Sequence, residues 1–211
     1  MRKLLFTLLS TAIFAASCKK EAIAPPQQQV KVKDYDTRRG IANTEVDTYL
    51  PFNAFDYGST PLQYLRTDAD GKVSFQVEDD ARVTLSAQGY LTRDFEMRYA
   101  KGDIEMLKSA KIELKCVNAN LIQGSIHYID IKCKPDLQLG AMIGEETIVF
   151  QTYINRSMTP QVFSFMGAAG KVNNLSISYE TELDSLTTIV RDTVFHVTPA
   201  LNGTTHVEFN Y

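Results

Sequence analysis

The side chains with most chemistry to offer in this chain are three cysteines, three histidines and one aspartate-rich turn. Cys116 lies on the apolar side of an alternating segment, and Cys133 sits between Lys132 and Lys134 at the end of a strand-like run. In an oxidising compartment the two can form a disulfide, and they can equally be small buried residues. They cannot complete a zinc tetrahedron, because no histidine pair accompanies them. His127, His196 and His206 each fall within a strand pattern, without Glu or Cys at ligand spacing. They read as exposed strand residues, with His196 and His206 on neighbouring strands. Asp68-Ala69-Asp70-Gly71 invites calcium, which demands six or more oxygens and a closing Glu. Lys72 and Val73 follow instead, so the segment reads as a hairpin turn. Gly167-Ala168-Ala169-Gly170 precedes no helix start and reads as a flexible turn. A nucleophile elbow, a phosphate loop and a dinucleotide fingerprint are all missing from the sequence. Hence no enzyme activity, no metal and no cofactor is expected.

The third cysteine has a different setting. Arg2 and Lys3 precede an apolar run from Leu4 to Phe14, too short to span a bilayer permanently, followed by Ala15-Ala16-Ser17-Cys18. This resembles the lipobox of bacterial lipoproteins, with Ala15 where the commonest form has Leu. The resemblance implies removal of residues 1–17, diacylglyceryl transfer to the Cys18 thiol, and attachment to the outer membrane through lipid. Lys19-Lys20-Glu21 after the cysteine looks like lipoproteins of the Bacteroidetes group. Residues 18–27, which include Pro25 and Pro26, form a polar tether. Acyl chains contribute ~0.8 kcal/mol per buried CH₂, so two chains anchor stably without a transmembrane helix.

Loss of Arg2 and Lys3 takes the formal net charge from −3 to −5. A mildly acidic surface argues against nucleic acid, which needs clustered Lys and Arg. The partners expected are the membrane, through the N-terminal lipid, and an envelope protein or polysaccharide.

Beyond the tether, period-two alternation dominates. Val73, Phe75 and Val77 share one face, as do Ile112, Leu114 and Cys116, Leu175, Ile177 and Tyr179, and Val207, Phe209 and Tyr211. Asp70-Gly71, Asn173-Asn174 and Asn202-Gly203 punctuate the strands. The pattern predicts an all-β chain of two antiparallel β-sandwiches, over residues 28–117 and 118–211, with the boundary near 117–120. No sequence repeat relates the halves.

Three pieces of the first half, Arg39–Val46, Thr67–Phe75 and Val83–Tyr90, resemble the carboxypeptidase-regulatory-like family. That resemblance implies a transthyretin-like, Ig-like sandwich of seven strands, used for scaffolding or docking and without catalytic residues. Asp70-Gly71 suits a tight turn, and Gly89 a turn before the aromatic Tyr90. Residues 51–64 are longer than the family usually has there and carry Phe52, Phe55, Tyr57 and Tyr64. These aromatics either contact a protein or glycan or cover the open edge of the sandwich.

The function expected is that of a lipid-anchored binding or assembly module of the cell envelope, with a structural stalk as the alternative. The half that follows residue 118 resembles no named family. Replacing Cys18 with Ala should abolish incorporation of labelled palmitate and leave residues 1–17 attached. Label entering the Cys18→Ala chain would remove the lipoprotein reading.

Overall fold

The computed structural model describes residues 27–50, 60–99, 102–117, 119, 126–137, 148–154, 160–184 and 187–211. The signal segment, Cys18 and the aromatics Phe52, Phe55 and Tyr57 lie outside the described residues.

Alternation becomes burial in most of the predicted strands, with Val207 only half-buried. In Lys72–Gln76 the side chains of Val73 and Phe75 are buried and the other three exposed. In Ser109–Val117, Ala110, Ile112, Leu114 and Cys116 point inward. Each strand therefore has one face to hide, and pairs of sheets hide them together.

Seven strands make the first sandwich: β1 (Gln27–Asp34), β2 (Glu45–Tyr49), β3 (Gln63–Arg66), β4 (Lys72–Gln76), β5 (Arg82–Ser86), β6 (Arg93–Glu96) and β7 (Asp103–Met106). They form a sheet of order β4-β1-β7 facing one of order β3-β2-β5-β6. The core between them includes Val32, Val46, Val83, Leu85, Ile104 and Met106, all fully buried. Seven more strands follow: β8 (Ser109–Val117), β9 (Ile126–Pro135), β10 (Ile148–Ile154), β11 (Gln161–Ala168), β12 (Asn173–Asp184), β13 (Thr187–Val197) and β14 (Thr204–Asn210). Their sheets run β11-β8-β14 and β10-β9-β12-β13, around Ile112, Leu114, Ile129, Ile131, Leu175 and Ile177.

Counted from its own first strand, each sandwich has the same arrangement. The fourth, first and seventh strands make one sheet, and the third, second, fifth and sixth the other. The two halves are one topology used twice, which the sequence did not disclose.

Two expectations need correction. Pairing is not wholly antiparallel: β1 runs parallel to β7, and β8 parallel to β14. Successive strands alternate in direction, so the first and seventh point the same way and pair in parallel when placed side by side. The expected boundary near 117 also moves. β8 was assigned to the first unit, but it pairs with β11 and β14, so the change of sandwich falls at Leu107-Lys108.

Two of the quoted segments meet in the first sandwich. Gly40 and Gly71 touch backbone to backbone, and a Cβ on Gly40 would stand 1.9 Å from the Asp70 carbonyl oxygen. Gly71 has φ +79° and its carbonyl accepts from the Val32 N–H at 2.7 Å. The Asp68 carboxylate takes the N–H groups of Asp70 and Lys72 at 2.9 and 2.8 Å, which is the chemistry of a turn. Gly40→Ala should therefore cost roughly 3 kcal/mol or more. Gly170→Ala, at φ +67° with nothing within 4 Å, should cost only about 1 kcal/mol. Chemical denaturation of the two variants checks the contrast.

Candidate functional site

The side chains that converge in three dimensions do so at the junction of the sandwiches. Asp34 ends β1 with the inward parity of Val30 and Val32, and the residue is 4% exposed. One carboxylate oxygen accepts from the Thr37 N–H at 2.7 Å. The other accepts from the Tyr90 hydroxyl at 2.8 Å and lies 3.4 Å from the Lys108 ammonium. Burial by itself would raise this carboxyl. The hydrogen bonds from Thr37 and Tyr90 and the charge of Lys108 outweigh it and hold the pKa down at about 2. Burial and the bond to Asp34 push Tyr90 up to about 12.

The connecting residues are bonded on both sides. The Leu107 carbonyl accepts from the Leu91 N–H at 2.8 Å, and the Ser109 N–H donates to the Gly89 carbonyl at 2.9 Å. The Lys108 carbonyl accepts from the Ala169 N–H, in the second sandwich, at 2.8 Å. Leu91, Leu107 and Ala168 form a small buried cluster, with Tyr35 and Leu137 against it. Lys171 reaches across to pair with Asp36, its ammonium 5.1 Å from the centre of the Tyr35 ring. The Gly167–Gly170 segment is thus no loose turn. Ala168 and Ala169 are buried, and a Cβ on Gly167 would come within 2.6 Å of Ile112. The side chains of Ile112 and Asn173 pack against Gly167 and leave no room for a Cβ there.

Asn173, fully buried at the start of β12, secures the same corner. Its carbonyl oxygen accepts from the Ala168 N–H at 2.8 Å, and its amide donates to the carbonyls of Ala168 and Lys171 at 3.0 and 2.8 Å. Beside it opens a cleft of about 280 Å³, walled by Leu91 and Thr92 on one side and Cys133, Pro135, Met166 and Gly167 on the other.

This cluster is built for holding, and its groups do not suit proton transfer or nucleophilic attack at neutral pH. Asp34 stays ionised and Tyr90 protonated. Burial raises the Cys133 thiol to about 11 and Cys116 to about 12, so neither is a nucleophile.

The residues singled out in the sequence are scattered. Cys116 and Cys133 are free and buried. They project into the second core from β8 and β9, which belong to facing sheets, and facing sheets stand about 10 Å apart. A disulfide needs Cα atoms within about 7 Å, so of the two alternatives the structure has the second, two thiols packed as apolar side chains. His196 and His206 are not neighbours either, because β13 and β14 belong to different sheets. His196 stands 2.8 Å from the Asn174 side-chain oxygen, and His206 3.2 Å from Glu113. His127 is on β9. Among the described residues no group of three His, Cys, Asp or Glu is placed to hold a metal. Tyr64 lies on the edge strand β3 and is 69% exposed, near the exposed Leu50 and Leu62. Sequence reasoning missed Asp34, although a signal was there: a carboxylate on the same parity as two valines.

No family model matches the chain. No curated protein matches it. Solved structures are similar at a distance. They include the Bacillus anthracis TIE protein, at 13% identity and TM-score 0.30 over 88% of this chain and 33% of that one. A streptococcal ancillary pilin follows at 12% and 0.31, over 90% and 63%. The shaft pilin SpaA of Lactobacillus rhamnosus GG stands at 11% and 0.28, over 88% and 98%. The chain spans 33% and 63% of the first two. Likeness at this level assigns no role.

Asp34 sets an acid limit on the joint. Its carboxyl is lowered from 3.8 to about 2, a difference worth about 2 kcal/mol. That stabilisation is complete above pH 3.8 and is lost as pH falls through about 2. Asp34→Asn should be about 2 kcal/mol less stable at pH 7, with a flatter stability profile between pH 4 and 2. Urea unfolding at several pH values measures both.

Proposed function

We propose that the mature chain is a non-enzymatic, lipid-anchored spacer of the cell envelope, which holds a partner at a fixed distance and angle from the membrane. The observation that carries this is the join at residues 107–109, where Leu107, Lys108 and Ser109 each give a backbone group to a partner across the corner. A flexible tether leaves such groups to water. Two sandwiches of one topology, knitted in this way, form a stiff pair. The lipid would attach at Cys18, ahead of the polar segment and the first strand.

Double electron–electron resonance on the full chain tests this. Ser74→Cys and Ser164→Cys, on exposed positions of β4 and β11, would carry spin labels, with Cys18→Ala present. Cys116 and Cys133 are too buried to react. One narrow distance distribution is expected, widening when Leu107 is changed to Ser. A broad distribution in the parent chain would overturn the spacer reading.

A second reading, capture of a protein or glycan through residues 51–64, is supported by the exposure of Leu50, Leu62 and Tyr64, all above half. It requires that Tyr64→Ala weaken retention of a specific envelope component in a pull-down with the full chain. Unchanged retention would remove it.

A further inference from the structure

Because the sandwiches share one topology, their edges can be compared strand for strand. The sixth strand of the first, β6, is four residues long and turns Asp94 and Glu96 outward. It ends in a tight turn, Met97–Tyr99, tied down by bonds from the N–H groups of Met97 and Arg98 to the carbonyls of Ala81 and Asp79. A short, charged, folded-over edge cannot accept another strand.

Its counterpart β13 has the opposite character. It is eleven residues long, and among the described residues it pairs with β12 alone. Its outward side chains are Val190, Asp192, Val194 and His196, with Val190 53% and Val194 54% exposed. No residue from 190 to 196 is buried. The free side of such a strand offers a row of unpaired N–H and C=O groups, and another extended backbone about 4.8 Å away is what satisfies the row.

We propose that the open edge of β13 is a docking site for an extended segment of a partner protein, which joins the sheet β10-β9-β12-β13 as a further strand. Directly opposed residues of an antiparallel pair share a face. The occupant therefore places a basic residue against Asp192, apolar residues two positions to either side against Val190 and Val194, and an acidic residue against Arg191. A second copy of this chain fits less well. Symmetric pairing that uses the whole strand sets Asp192 against its own copy, and like charges directly opposed are unfavourable. This site goes beyond the spacer reading and does not depend on the lipid anchor.

The probe is a synthetic peptide with the core valine-threonine-lysine-glutamate-valine, titrated into the full chain carrying Cys18→Ala and followed by amide hydrogen exchange and calorimetry. Added protection is expected at residues 190–196. Binding should weaken roughly tenfold or more with Val194→Lys and stay unchanged with Val162→Lys on the other sheet. Two peptides N-methylated on alternate residues, in opposite phase, separate backbone pairing from mere adhesion: one phase should lose binding and the other keep it. Equal binding of both, or of a scrambled peptide, would overturn the proposal, as would absence of protection at 190–196. Sedimentation that finds a concentration-dependent dimer, abolished by Val194→Lys, would give the edge to a second copy instead.

Discussion

A carboxylate in the interior must be bonded on every side, and at Asp34 that requirement ties three segments into one corner. Thr37 in the turn after β1, the turn carrying Tyr90, and Lys108 at the crossing between sandwiches all meet its two oxygens. An uncompensated buried charge would cost several kcal/mol, so the three partners cannot drift apart independently. The same corner holds the buried side chains of Leu91, Leu107 and Ala168. Polar bonds fix the geometry, while apolar contact and the backbone bonds at 107–109 keep it closed. The relative placement of the two sandwiches follows from this corner more than from either core.

Using one topology twice need not mean using one surface twice. The inward faces obey the same rule in both halves, with branched and aromatic side chains on alternate positions. The outward faces and edges differ. β4 turns Lys72, Ser74 and Gln76 outward, whereas its counterpart β11 shows Val162 and Met166. β6 stops after four residues, and its counterpart β13 continues for eleven. Selection for packing acts alike on both cores, while the exposed strands are free to diverge.

The strands were legible because alternation is a local signal. Each inward residue named in Lys72–Val77 and Ala110–Cys116 is buried. The Asp68–Gly71 turn was legible too, since aspartate and glycine carry the geometry of the turn in their own side chain and φ. What failed was anything requiring knowledge of the partner strand. β8 has the same period whether it closes the first sandwich or opens the second. Its partner β14 lies 93 residues further on at the Lys115–Glu208 contact, and no local feature announces such a pairing. The cysteines were half legible for the same reason: inward parity was readable at Cys116, but only the facing sheets decide between a bridge and two buried thiols.

By itself the sequence determined the class of structure and the positions of most strands and turns, because each depends on a few neighbouring residues. Tertiary structure alone decided the repeated topology, the crossing at Leu107-Lys108, the convergence on Asp34 and the open edge of β13. Each of these is a relation between segments distant in the chain. Backbone hydrogen bonds carry no residue identity, so a strand's composition says that it will pair without saying with which strand.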